Sequence, residues 1–220
     1  MGAIGHGVRE QPTQVDGGHV TSEVHQQQRE ALKAVAVTLK SADLPFALAG
    51  SYAAWARGGP ESDHDVDFVI PSADRDRALE TLRGAGVHSI ANTEDWLVKV
   101  GWHDVVIDLI WHLPHTPVDA ELLGRAETLR VESVEMPVLA ASDVLVSKVL
   151  AFDEHNCDLA PCLTIARALR EQLDLDAMTP VVCRSPFGRA FLDLLVSLEI
   201  LPPSGVTPPR TYPDSAAARR

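Results

Sequence analysis

The 220-residue sequence has no long apolar run, few cysteines and a deficit of positive charge. Its longest apolar stretches, such as residues 105–111, fall far short of the roughly 20 residues that a membrane-spanning helix needs. No basic segment followed by an apolar block opens the chain, so nothing indicates a secretion signal. We therefore expect a cytoplasmic protein that does not associate with a membrane.

The shortage of cysteine and of basic residues argues against a cysteine metal site and against a general nucleic-acid-binding surface. Cys157, Cys162 and Cys183 do not have metal-ligand spacing, so we expect free thiols, with Cys157 and Cys162 buried in a helix. The formal charge of −12 argues against a surface that collects nucleic acid indiscriminately, because such binding needs many Lys or Arg contacts to phosphate. If RNA is bound, it must meet a local basic patch.

The pattern of apolar residues predicts an α+β fold with four segments. Residues 1–21 and 201–220 read as flexible tails, residues 22–115 as an α/β domain, and residues 116–200 as a mainly helical domain, with a substrate cleft between the two. Helices are predicted at 23–42, 52–57, 72–84, 142–152, 158–172 and 185–200, the first two after Ser22 and Gly50-Ser51. Strands are predicted at 46–49, 66–70, 87–90, 96–102, 105–111 and 129–134. A mixed sheet flanked by helices results.

Two aspartates fall on these predicted strands, and a third directly precedes one of them. Asp65 and Asp67 bracket Val66, and because strand side chains alternate, both carboxylates project from one face while Val66 points into the core. Two adjacent anions repel each other unless a cation neutralises them, and hard oxygen ligands suit Mg²⁺, which also binds nucleotide phosphates. Asp108 interrupts the apolar strand VVIDLIW, where an ionised carboxylate is costly unless it faces a site.

A glycine-serine turn supplies candidate phosphate ligands. Gly50-Ser51 follows a predicted strand and begins a helix, so backbone N–H groups and a hydroxyl would face phosphate oxygens. Glycine permits the close approach. Arg57, on the same helix, is a candidate partner for a triphosphate because its guanidinium forms a planar fork.

This order of elements resembles the nucleotidyltransferase superfamily, whose motif is a Gly-Ser turn, a short helix, an Asp-x-Asp strand and a lone carboxylate on a later strand. The similarity looks closest to the bacterial AbiEii and MenT-type toxins, which share a core with DNA polymerase β. The resemblance implies an NTP such as ATP as substrate and two Mg²⁺ ions, or Mn²⁺, held by Asp65, Asp67 and Asp108. In that branch a helix lysine contacts the nucleotide and an acidic residue follows it, which implies Lys148 as a catalytic and nucleotide-binding residue and Asp158 as a nucleotide ligand.

Two other polar residues near these motifs receive a structural interpretation. His64 is next to Asp65, but its side chain should alternate to the opposite face of the strand. Lys99 could reach phosphate from the face of the sheet, although an exposed strand lysine is the default.

The predicted reaction is in-line displacement at the α-phosphate of an NTP, with release of pyrophosphate. Asp65 and Asp67 would hold both ions, and Asp108 would bind the second ion and accept the proton of the acceptor hydroxyl.

The acceptor stays open between several classes. A toxin-like enzyme would act on the 3′ end of tRNA, would have a cognate antitoxin partner, and would need a basic patch, for which the candidates are Arg125, Arg130, Arg167, Arg170, Arg184 and Arg189. A small polycationic molecule such as an aminoglycoside would suit the acidic charge. A protein side chain is a third acceptor, and a catalytically inactive nucleotide-binding protein is a different class altogether.

Overall fold

The computed structural model describes residues 17–62, 65–91 and 93–202, except for the side chains of residues 17–22. The helices are α1 (Gly17–Ser41), α2 (Gly50–Ala56), α3 (Arg75–Gly84), α4 (Ala120–Gly124), α5 (Ala141–Leu150), α6 (Ala160–Leu169), α7 (Leu175–Val182) and α8 (Pro186–Ser197), with single 3₁₀ turns at Ser72–Asp74 and Arg170–Gln172. The strands are β1 (Ala47–Leu48), β2 (Val66–Val69), β3 (His88–Ile90), β4 (Leu97–Trp102), β5 (Val105–Ile110), β6 (His112–Leu113), β7 (Thr116–Pro117), β8 (Glu127–Val131) and β9 (Val134–Val138).

Seven strands form one mixed sheet in the order β3-β4-β5-β2-β1-β9-β8. The pairs β2–β5 and β1–β9 are parallel, and the other neighbouring pairs are antiparallel. The mixed α+β fold that the sequence predicts is therefore confirmed. Strands β6 and β7 form a separate short hairpin.

Helix α1 packs one face against this sheet and against α3. Its fully buried residues, Ala31, Leu32, Val35, Ala36 and Leu39, recur at the spacing of one side of an α-helix. The helix begins at Gly17 rather than at Glu23, so the predicted cap at Ser22 is wrong. Within the described residues, no helix is long and apolar enough to span a membrane.

One predicted strand, residues 129–134, is in fact the centre of the β8–β9 hairpin. Val131 pairs with Val134, which leaves a two-residue turn at Glu132 and Ser133. Glu132 has φ +55°, a conformation that such turns need and that glycine or asparagine usually supplies. The sequence lacks that signal, and Pro137 in β9 further conceals the second strand.

Helix α7 is also absent from the sequence prediction. Pro180 lies inside it, and proline inside a helical pattern ordinarily indicates a break. The helix is capped at its start by Asp174, whose side chain accepts a hydrogen bond from the Ala177 N–H.

The β8–β9 hairpin lies beyond the predicted domain boundary at residue 115, yet it extends the same sheet. The hydrophobic core likewise includes residues from both sides of that boundary, from Ala31 to Leu201. The division into two domains stays a prediction. Most of both predicted tails, residues 1–16 and 203–220, lies outside the described residues.

Candidate active site

The sheet brings Asp67 and Asp108 side by side. Strands β2 and β5 are parallel neighbours, and Asp67 is the register partner of Asp108. Residues at one register position project to the same face of a sheet. The flanking residues Val66, Phe68 and Ile107 are fully buried, as expected for the opposite face. The register of β2 against β5 thus places both carboxylates on one side of the sheet.

These carboxylates form the floor of an open cavity of about 570 Å³, which we call the carboxylate cleft. Its lining residues are Ser51, Asp65, Asp67, Asp108, Lys148, Ala151, Phe152, Asn156, Asp158, Pro161 and Cys162. The cleft thus gathers all three predicted metal ligands together with Ser51, Lys148 and Asp158. His64 lies outside the described residues.

Asp67 is the most strongly perturbed group in the cleft. Burial raises the pKa of its carboxyl from 3.8 to about 7, and the negative charges of Asp108 and Asp65 add to the increase. The positive charges of Lys148 and Lys99 oppose it. An ionised Asp67 is therefore costly in the protein alone, and a bound cation would remove that cost.

Asp67→Asn is expected to stabilise the metal-free protein at pH 8. The folded pKa lies above the unfolded one, so the cost of ionising Asp67 is absent below about pH 4 and grows until the pH passes about 7. The amide carries no such cost. Urea unfolding in EDTA should therefore show a larger advantage of the variant at pH 8 than at pH 5, and equal advantages at both values would contradict the assignment.

Gly50 is required where β1 turns into α2. It has φ +60°, and a Cβ added there would lie 2.7 Å from Asp67 Cγ and closer still to its Oδ2. The Ala49 N–H donates to the carbonyl of Asp67 at 2.9 Å, which holds the turn against β2. The glycine in the predicted motif therefore brings the Gly50-Ser51 turn into contact with Asp67.

Lys148 reaches this turn from α5. Its Nζ donates to Ser51 Oγ at 2.9 Å, and both side chains are partly buried. An ammonium group and a hydroxyl therefore face the cleft together, next to the carboxylate of Asp67. Such a pair offers donors to phosphate oxygens.

Lys99 enters the same site from β4. Its Nζ donates to Asp108 Oδ1 at 2.9 Å and to Oδ2 at 3.0 Å, and it lies 3.7 Å from Asp65 Oδ2. Burial raises the pKa of Asp108, and the hydrogen bonds from Lys99 oppose this increase. The default interpretation of Lys99 as an exposed strand lysine is therefore wrong, because its ammonium bridges two predicted metal ligands.

Arg57 is the one predicted nucleotide ligand that the structure does not bring to the cleft. Its side chain is only 3% exposed. Nε donates to the Leu139 carbonyl at 2.6 Å, Nη2 to the Val138 carbonyl at 3.1 Å, and Nη1 to Gln172 Oε1 at 3.3 Å. The guanidinium fork predicted to bind a triphosphate instead holds α2 to the end of β9.

Arg57→Lys is accordingly expected to destabilise the fold by about 2 kcal/mol, since lysine cannot satisfy both carbonyls. The KM for NTP should stay unchanged. Urea unfolding and steady-state kinetics measure the two effects, with the exposed Arg167→Lys as a control that shifts stability by less than about 0.5 kcal/mol. An increase in KM without loss of stability would restore the triphosphate role.

The loop between α5 and α6 supplies the remaining wall of the cleft. Asp158 lies there, and its Oδ1 accepts from the Ala160 N–H at 3.0 Å, close to the start of α6. Phe152 and Asn156 also line the cleft, and no sequence motif marks them.

The cysteines differ from the sequence prediction in one case. All three are free, but Cys157 is exposed. Burial raises the pKa of Cys162 to about 11, so this cleft residue stays a neutral thiol.

The donor set of the cleft consists of carboxylate oxygens, which suits a hard cation such as Mg²⁺. In the part of the chain that the structure describes, however, no three His, Cys, Asp or Glu side chains are already gathered as a metal-binding group. Instead, the ammonium of Lys99 pairs with both Asp65 and Asp108.

Comparison with known proteins identifies a family. Residues 28–179 match the family described as "Nucleotidyl transferase of unknown function (DUF2204)". No curated protein sequence matches the chain.

Several solved structures are similar in fold. The solution structure of the antibiotic-resistance factor ANT(2'')-Ia matches with a TM-score of 0.55 and 14% identity, covering 80% of this chain and 96% of that one. The crystal structure of ANT(2")-Ia in complex with adenylyl-2"-tobramycin matches with a TM-score of 0.56 and 14% identity, covering 76% of this chain and 98% of that one. The lincomycin-bound lincosamide antibiotic adenylyltransferase LnuA matches with a TM-score of 0.45 and 8% identity, covering 62% of this chain and 92% of that one. At such identities the two ANT(2")-Ia structures show a shared fold.

The family match covers more than half of the chain and includes β1, α2, β2, β5 and α5, the elements that carry the carboxylates, the glycine-serine turn and Lys148. The chain therefore belongs to the nucleotidyl transferase family of unknown function, and it is a nucleotidyltransferase.

Proposed function

We propose that this nucleotidyltransferase moves a nucleoside monophosphate from an NTP to a hydroxyl of a small, positively charged acceptor, with Asp65, Asp67 and Asp108 as ligands of two Mg²⁺ ions. The observation that carries the proposal is the carboxylate cleft, in which these residues share a surface with Ser51 and Lys148. The pKa of about 7 for Asp67 supports the metal assignment, because a buried carboxylate that also lies near two others needs a cation to stay ionised. Mn²⁺ is an equivalent cofactor for the same oxygen ligands.

The chain's own residues have separate roles in this reaction. When bound, the ions would neutralise phosphate charge and acidify the acceptor hydroxyl. The hydroxyl of Ser51 and the ammonium of Lys148 hold phosphate oxygens of the NTP, and Asp158 contacts the nucleotide from the opposite wall. The acceptor oxygen bonds to the α-phosphorus, the bond to the β-phosphate oxygen breaks, and pyrophosphate leaves. Asp108 accepts the proton of the acceptor hydroxyl.

The charge around the cleft favours a cationic acceptor. Residues 151–159 connect α5 to α6 and line the cleft through Ala151, Phe152, Asn156 and Asp158. The segment also contains Asp153 and Glu154 near the cleft, and it has no Lys or Arg. Acidic walls attract a polycation and repel a polyanion. The ANT(2")-Ia complex contains an adenylylated tobramycin, which makes aminoglycosides the first acceptors to test.

The arginines predicted as an RNA patch do not support the tRNA alternative. None of the six lines the carboxylate cleft. Arg125 binds Asp143 through two hydrogen bonds, Arg170 pairs with Glu171, and Arg189 donates to the Cys183 carbonyl. The tRNA acceptor, the toxin branch and the antitoxin partner stay predictions, as does the cytoplasmic location. The inactive alternative required the loss of a carboxylate, and all three line the cleft.

An acceptor screen tests the proposal. The chain and its Asp67→Asn variant are incubated with Mg²⁺ and each α-³²P-labelled NTP, together with an aminoglycoside panel, total tRNA or total protein in separate arms. We expect Asp67-dependent label on an aminoglycoside or a related polyamine alcohol. Label on tRNA or on protein instead would overturn the small-molecule acceptor, and label on no acceptor with any NTP would overturn the proposed reaction.

A further inference from the structure

Lys99 occupies the space between two of the proposed metal ligands. Its Nζ lies 2.9 Å from Asp108 Oδ1 and 3.7 Å from Asp65 Oδ2. In the antiparallel β4–β5 pair, Lys99 is the register partner of Asp108, which is itself the register partner of Asp67. One positive and two negative side chains therefore stand in one row across three adjacent strands, with Lys99 at one end of the row.

This arrangement is fixed by the sheet rather than by a flexible surface contact. Strand β4 has neighbours on both sides, so Lys99 projects from the interior of the sheet. Its side chain is 31% exposed and that of Asp108 is 12% exposed, so water screens their interaction only in part. Burial alone would lower the pKa of Lys99, but the hydrogen bonds and the charge of Asp108 outweigh burial and raise it. Lys99 therefore keeps its positive charge.

The ammonium replaces some of the charge that a metal ion would supply. It satisfies both oxygens of Asp108 at once, and it also attracts Asp65. A divalent ion that uses Asp108 as a ligand needs the same oxygens and the same space. The two cations therefore compete at Asp108, because they repel each other and share one ligand.

We propose that Lys99 is an internal counterion that holds the place of the second metal ion and must withdraw from Asp108 before that ion binds. The inference rests on the metal assignment made under the proposed function. Lys99 is thus a positioning residue, and it lowers the affinity of the cleft for the metal ion that binds at Asp108. It also keeps the carboxylates together while that ion is absent.

Titration with Mn²⁺ alone, followed by the EPR signal of the free ion, tests this role. Lys99→Met keeps the length of the side chain and removes its charge, and we expect the weaker of two Mn²⁺ sites to tighten at least about tenfold. Lys99→Arg keeps the charge and should bind Mn²⁺ as the wild type does. Lys33→Met, on α1 away from the cleft, makes the same change in net charge and should have no effect.

A second readout guards against a purely structural explanation. In EDTA, Lys99→Met should unfold at a lower temperature than the wild type, because the carboxylates then lack their counterion, and Mn²⁺ should reverse the difference. If that variant does not fold, Lys99→Gln takes its place, and we again expect tighter Mn²⁺ binding and a lower unfolding temperature in EDTA. A different result is that the wild type binds two Mn²⁺ ions and the neutral variant binds them with unchanged or weaker affinity. That result would overturn the role of Lys99 and leave the metal assignment intact. Absence of Mn²⁺ binding in every variant would overturn the metal assignment as well.

Discussion

Asp67→Asn and Asp65→Asn are each expected to lower the rate of nucleotidyl transfer by about 10³-fold or more. Both carboxylates line the cleft, and the amide of asparagine has no charge with which to hold a divalent ion. The contribution of a bound ion to catalysis is several kcal/mol, and each 1.36 kcal/mol corresponds to a tenfold change in rate. Initial rates of pyrophosphate release, with saturating NTP and Mg²⁺, measure the loss.

The control for this prediction is Asp104→Asn. Asp104 is an exposed carboxylate in the turn between β4 and β5, and it is not among the residues that line the carboxylate cleft. Its replacement changes the net charge equally and should leave the rate unchanged. Transfer at the wild-type rate by both cleft variants would show that Asp65 and Asp67 do not hold the ions.

Gly50→Ala is expected to produce the second large effect, a loss of about 10²-fold in activity together with reduced stability. Its φ of +60° disfavours any side chain, by roughly 1–2 kcal/mol. The added methyl group would also displace the Asp67 carboxylate, and a misplacement of about 1 Å in a catalytic constellation costs about 10²-fold in rate. Activity assays and urea unfolding on the same preparation separate the two consequences.

Gly86→Ala separates backbone strain from collision. Gly86 has φ +86°, in the turn between α3 and β3, and an added Cβ there would meet nothing within 4 Å. This variant should lose stability by a similar amount and keep its activity. If Gly50→Ala proves as active as Gly86→Ala, the contact between Gly50 and Asp67 has no role in placing the carboxylate.

Much of the site follows from the sequence, because its chemistry lies on strands and in a tight turn. Alternation along β2 is a local property, so Asp65 and Asp67 could be assigned to one face before any coordinates existed. Val66, between them, is fully buried, and both aspartates line the cleft. The glycine-serine turn is likewise predictable from local sequence, since it follows a strand and glycine permits a close approach of the backbone.

The role of Lys99 was within reach of the same reasoning. Strands β4 and β5 are joined by the two residues His103 and Asp104, and a two-residue turn fixes the register of a hairpin. Counting outward from that turn places Lys99 opposite Asp108. A single strand on its own favours an exposed lysine, and only the pairing of β4 with β5 reveals the carboxylate partner.

Arg57 illustrates what local patterns do not reveal. Its partners are the carbonyls of Val138 and Leu139, about 80 residues away in the chain. Strand β9 was not predicted, so no acceptor for the guanidinium existed at the level of sequence. From the sequence, the evident partner of a basic residue near a phosphate motif is a triphosphate. In the structure, the partners of Arg57 are backbone carbonyls.

The hydrogen bonds of Arg57 also determine which parts of the cleft are able to move. They tie α2, which carries Ser51, to the carbonyls that immediately precede α5, which carries Lys148. The Lys148–Ser51 hydrogen bond closes a second link between the same two helices. The two helices are therefore linked twice, whereas residues 153–158 are exposed, so we expect the cleft to adapt to differently sized acceptors in that loop.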